Sequence, residues 1–175
     1  MVAPSRSLRD TGAMSKPSYL GLLNAVAVAE TAAEPIFTTW ADTTKDKKLA
    51  KALRFVGMRE GEHGKAFAKR MLELGYEVRQ PSTDGASESV AIAGSTKTDL
   101  QKFRALKLGN GPAATDVFDG MFADKNIDPV TGGLLGRYIA EERDSARLLA
   151  AEHDRLAAKE KLATERAKAK KSVKK

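Results

Sequence analysis

The chain has 175 residues, 42% of them hydrophobic and only 6% aromatic, with a net charge of +7. That length suits one domain with a sizeable core, and plentiful Ala, Leu, Lys and Glu with few aromatics favour helices over sheets. The absence of cysteine excludes disulfides, thiolate metal sites and cysteine nucleophiles.

Residues 1–16 lack apolar periodicity and are expected to form a disordered arm. Arg6 and Arg9 there, with no apolar core, do not read as a secretory signal. No apolar run approaches the roughly 18 residues that span a membrane, so a cytoplasmic protein with no membrane partner is expected. Pro17 stands where a first helix opens, and its apolar rhythm runs from Leu20 to about Ala41. Asp42, Thr43 and Thr44 supply turn and capping residues. The second helix is expected from about Asp46 to Leu74, with Gly75 beyond its end.

Tyr76 to Lys97 is broken by Pro81, Ser82, Asp84, Gly85, Ser87 and Gly94, and reads as a long structureless connection. Such a loop fits a four-helix bundle whose second and third helices run the same way. The second helix, near 29 residues, would be roughly 43 Å long, and 22 extended residues reach up to roughly 73 Å. A third helix starts near Thr98, breaks at Gly109 to Pro112 and resumes through Val117, Phe118, Met121 and Phe122. Asp128-Pro129 gives an N-cap and N1 proline for a fourth helix reaching at least Leu156. The domain plan is therefore an arm over 1–16, a bundle over 17–157 and a basic tail over 158–175. In that tail Lys159, Lys161, Arg166, Lys168, Lys170, Lys171, Lys174 and Lys175, opposed only by Glu160 and Glu165, account for six of the seven net charges. Basicity so confined marks a tail rather than a binding face. It allows weak, salt-sensitive phosphate contact with nucleic acid.

The chemistry lies on the inward stripes. On the second helix Leu49, Leu53, Val56, Glu60, His63, Phe67, Met71 and Leu74 share one face, interrupted by Glu60 and His63. Their i, i+3 spacing lets both side chains reach one ion. The first helix shows Leu20, Leu23, Ala27, Glu30, Glu34, Phe37 and Ala41. With the turn centred near residue 45, Glu30 and Glu60 stand at the same height of an antiparallel hairpin. The fourth helix carries Leu135, Ile139, Glu142, Ala146, Leu149, His153 and Leu156, with Glu141 beside the stripe. Carboxylates gathered in one core cost several kcal/mol each unless paired, and a divalent cation is the simplest common partner. His153, about 16 Å along the axis from Glu142, is too distant to join them. Trp40, Phe37 and Phe55 read as packing residues.

Ala25 to Glu30, Arg59-Glu60-Gly61-Glu62-His63, the long crossover and Tyr138-Ile139-Ala140-Glu141-Glu142 together resemble the rubrerythrin and ferritin-like superfamily over roughly residues 18–157. The resemblance implies an all-α, ferritin-like antiparallel four-helix bundle. It also implies a carboxylate-bridged centre of iron or manganese that uses oxygen or peroxide. By position Glu30 would be a terminal ligand and Glu60 a bridging one, with His63 completing that half-site and Glu142, Glu141 and Glu34 as further ligands. With no cysteine for a rubredoxin module, electrons would come from an external donor.

The sequence departs from the family pattern in its second half. No glutamate occurs between Glu88 and Glu141, and the fourth helix has no second Glu-x-x-His. With a turn near residue 126, Glu142 would face residue 110, where Asn110 is the only side chain able to ligate. Asp116 and Asp119 lie off the apolar face. One ion or an asymmetric pair is expected rather than a standard di-iron centre. The competing reading is a non-catalytic bundle, a scaffold or interaction protein with a relic site and a basic tail. A homodimer would suit either, two-fold association being common.

Overall fold

The structure, a computed structural model, describes residues 16–80, 86–111 and 124–172. All regular structure among the described residues is helical: α1 (Leu20–Thr43), α2 (Lys47–Glu73), α3 (Ala86–Gly94), α4 (Asp99–Ala105) and α5 (Pro129–Ser172). The expected N-terminal arm lies almost wholly outside the described residues. So do Asp116, Asp119 and the resumed third helix.

Local chemistry sets the helix ends. Pro17 precedes α1 rather than opening it, its carbonyl accepting from the Leu20 N–H at 3.2 Å. Asp46 caps α2 by accepting from the backbone N–H groups of Lys48 and Leu49, each at 3.1 Å. At its other end Gly75 takes φ +83°, and the N–H groups of Gly75 and Tyr76 return to the carbonyls of Leu72 and Met71. This is the glycine-terminated cap that satisfies the last carbonyls. Asp128 caps α5 through Val130 and Thr131, with Pro129 in the first helical position, as the sequence implied.

Two caps also set helix directions. Asp46 at the start of α2 binds Arg155 of α5 through both carboxylate oxygens, at 3.1 and 2.8 Å. Arg70, near the end of α2, reaches Asp128 and Thr131 at the start of α5. Thus α2 runs antiparallel to α5, as it does to α1. Arg155 holds the Asp46 carboxyl down at about 2, against the effect of burial and with help from the Leu49 and Lys48 N–H groups. A depressed carboxyl contributes stability above its ordinary range, and that stability is lost as pH falls toward 2. Asp46→Asn keeps the cap but loses the ion pair. We expect it to cost about 1 kcal/mol at pH 7 and clearly less at pH 2, where about half of the Asp46 charge is gone, as read by urea unfolding at both.

The crossover is not structureless, as the sequence reading had it. It contains α3, packed on α1. Lys102 of α4 is 2% exposed and donates to the Ala93 carbonyl and the Thr43 hydroxyl, tying the ends of α3 and α1 together. Trp40 and Thr44 both donate to Asp99, so α4 begins beside the α1–α2 turn. The basic segment extends the fourth helix, which was expected to reach at least Leu156. It continues α5 as helix to Ser172, with every residue from Ala158 exposed.

α1 is long and apolar enough, by length and composition, to cross a membrane, although no such run was expected. In the structure its Leu23, Ala27, Glu30, Phe37, Trp40 and Ala41 are buried against the other helices. Helices α1 and α2 approach closely over Gly57, Gly61 and Gly64, where an added Cβ would lie within 3.2 Å of α1 atoms at each position. The core forms two apolar clusters. One holds Leu20, Leu23, Phe67, Met71, Leu135 and Ile139. The other holds Phe37, Trp40, Leu49, Leu53, Phe103 and Leu149. Phe55, expected to pack, is 40% exposed and lies under the Arg59 guanidinium, 4.2 Å from its ring centre.

Candidate metal centre

Between the two apolar clusters the stripes turn polar. Glu30 on α1 and Glu60 and His63 on α2 are all buried, and Glu142 enters from α5 half-buried. His63 Nδ1 stands 3.7 Å from Glu30 Oε2 and 3.4 Å from Glu142 Oε1. These three atoms are buried with no hydrogen-bond partner, and all lie within 4.8 Å of one another. Buried polar atoms are nearly always satisfied; here the three meet only at ion-pair distance, a spacing that a shared cation would also fit.

The rest of the imidazole is held from behind. Arg137 Nε donates to Glu141 Oε1 at 2.9 Å, and Glu141 Oε2 lies 2.7 Å from His63 Nε2. A carboxylate on the far nitrogen orients a metal-binding histidine and leaves the near nitrogen to ligate. Glu141 therefore sits behind His63 rather than in the shared space. Glu34 is also apart, its carboxylate lying over Gly61 where a Cβ would meet it at 2.5 Å. The α1 helix is continuous through Pro35, so the proline does not break it.

Electrostatics follow from crowding. Burial, then hydrogen bonding to Glu30 and the negative charges of Glu30 and Glu142, push the Glu60 carboxyl up to about 10. Burial works against a charged His63, but Glu142, Glu30 and Glu141 outweigh it and raise the imidazole to about 10. Burial likewise opposes charge on Glu30, yet His63, Glu60 and Tyr138 hold its carboxyl below the usual range. Without an ion, protons on Glu60 and His63 balance the cluster. A divalent cation would take their place, so its binding would release protons.

Sequence reasoning gave no role to Tyr138. Its hydroxyl donates to Glu30 Oε1 at 2.8 Å, and its ring meets His63 edge to face at 5.0 Å. It thus fixes Glu30 with Oε2 turned to the shared space. The signal was its place four residues before Glu142 on the same face of α5. The height argument for α4 fails. A Cβ on Gly109 would touch His153, and one on Gly111 would lie 3.9 Å from Ala150, so Asn110 is not opposite Glu142 and is exposed. Lys107, Gly109 and Gly111 all have positive φ. This stretch is not helical, and residue counting at a helical rise misplaces it. His153 packs edge to face on Phe103 at 5.4 Å, away from the cluster. No family model, curated protein or solved structure matches this chain.

Proposed function

We propose that this is a ferritin-like metal-binding protein in which Glu30, His63 and Glu142, with Glu60 beside them, hold one iron or manganese ion. The observation that carries the reading is the convergence from three helices of three buried ligand atoms without a hydrogen-bond partner. The donor set of carboxylate oxygens and one imidazole suits such ions. The bundle topology is supported by α1 and α2 as a hairpin, α5 antiparallel to α2, and a crossover that returns the chain to the start of α2 before α4.

The ion would supply one-electron redox chemistry or act as cargo in metal handling. The chain's residues divide the remaining work. Tyr138 fixes Glu30, Glu141 fixes His63, and Arg137 holds Glu141 in place. The apolar clusters flank the ligands on either side. Electrons would come from an external donor. Elemental analysis of protein purified without chelators tests the reading. We expect about one ion per chain in the wild type and none in the Glu60→Ala, His63→Ala double variant. Absence of metal from both, after anaerobic loading with ferrous iron, would overturn it.

A second reading has one observation in its favour. The exposed continuation of α5, carrying Lys159, Lys161, Arg166, Lys168, Lys170 and Lys171, suits a scaffold that binds a polyanion. For a scaffold, Glu60→Leu should be neutral or stabilising with no metal taken up by either protein.

A further inference from the structure

A partly open pocket of about 300 Å³ adjoins the cluster at Glu60 and Glu142. It lies among α1, α2, α3, α5 and the turn after α4, and none of the ligand assignments requires it. Ile36, Phe37, Val56, Leu106, Leu108 and Leu149 form most of its wall, and Glu60 and Glu142 border it. Its partial opening to solvent lets a small molecule enter without the helices parting. The pocket has the volume of a small organic-ligand site and about twice that of an apolar cavity known to hold benzene.

Its charge pattern narrows the occupant. Among the described residues no lysine or arginine lines it, and Glu60 and Glu142 are the ionisable ones. An anionic head group would leave water for a mostly apolar wall, which is unfavourable. The hydroxyls of Ser89 and Ser145 are the other polar groups at the wall. Its residues come from the same α1, α2 and α5 faces that carry Glu30, Glu60 and Glu142, so a molecule seated there would lie against the ligand side of the cluster.

We propose that this cavity binds an uncharged, largely apolar organic molecule of one or two rings, or a short chain of similar bulk, against Glu60 and Glu142. The identification of that molecule as the metal site's substrate rests on the metal-binding reading; the pocket itself does not. A fluorine NMR titration of the full chain with 4-fluorotoluene tests it, using 4-fluorobenzoate as the anionic counterpart and both metal-free and iron-loaded protein. The expected result is one saturable 4-fluorotoluene site in both forms, with 4-fluorobenzoate bound at least about tenfold more weakly by the metal-free protein.

Ala146→Phe, which places a ring in the cavity, should abolish 4-fluorotoluene binding while leaving metal content unchanged. Should that variant fail to fold, Ala33→Leu makes a smaller intrusion from the α1 wall and should weaken binding about tenfold. No saturable binding by the wild type, equal binding of the two probes by the metal-free protein, or full binding by a folded cavity-filling variant would overturn the proposal. Probe binding is read without metal, so the two readings fail separately. Protein that takes up no iron but binds the probe overturns the metal reading alone, and iron-loaded protein that ignores the probe overturns the pocket alone.

Discussion

Ferrous iron added under argon should raise the melting temperature of the wild-type chain by about 10 °C, and His63→Ala should lose that rise. A ligand that binds only the folded state at 1,000 times its dissociation constant adds about 4 kcal/mol. For a chain of this size each kcal/mol is worth about 2–4 °C. The ion would satisfy Glu30 Oε2, His63 Nδ1 and Glu142 Oε1 together, and removing the imidazole deletes the atom common to both short contacts. Glu141→Gln separates orientation from ligation. It leaves every atom of the shared space in place and changes only the group behind His63 Nε2, so it should weaken metal binding about 10–100-fold without abolishing it. The rise should also grow from pH 6 to pH 8, because the ion competes with protons on His63 and Glu60. A rise of equal size in His63→Ala would place the metal elsewhere.

The residues of this cluster were legible because burial and charge conflict. Glu30, Glu60, His63 and Glu142 have Val26, Ala27, Val56, Phe67, Ile139 and Ala146 among their neighbours at three and four residues, and helical periodicity alone puts them in the interior. Asp128-Pro129 and Gly75 marked helix ends for equally local reasons. What escaped notice depends on tertiary contact. α3 has nine residues, too few to show periodicity. Its stability comes from Lys102 and Thr43 binding the Ala93 carbonyl, partners nine and 50 residues away in the chain. The course of the chain beyond α4 depends on positive-φ positions at Lys107, Gly109 and Gly111, which no apolar pattern encodes. The continuation of α5 is different, since Ala, Lys, Glu and Arg are good helix formers and propensity alone pointed to helix. Its basicity marked it as a tail, and a helix that packs on nothing needs no apolar face.

Gly64→Ala should lower the melting temperature by several degrees, while Gly61→Ala, one turn away on the same face, should leave it unchanged or raise it slightly. Both replacements gain up to about 1 kcal/mol of helix propensity, so the difference lies in what the new methyl meets. At Gly64 a Cβ would stand 2.9 Å from the Thr31 backbone nitrogen and 3.2 Å from its Cα. Backbone within α1 cannot swing aside, so the helices must part. Overpacking of this kind costs about 1–3 kcal/mol, or roughly 2–12 °C at this chain length. At Gly61 the obstacle is the Glu34 carboxylate, the far end of a flexible, half-exposed side chain that can turn to solvent. The two variants also report differently on the cluster. Glu30 adjoins Thr31 and His63 adjoins Gly64, so a wedge there separates Glu30 from His63 and should weaken metal binding as well as stability. Displacing Glu34 should do neither if it is not a ligand. Loss of metal in Gly61→Ala with the fold intact would bring Glu34 into the ligand set.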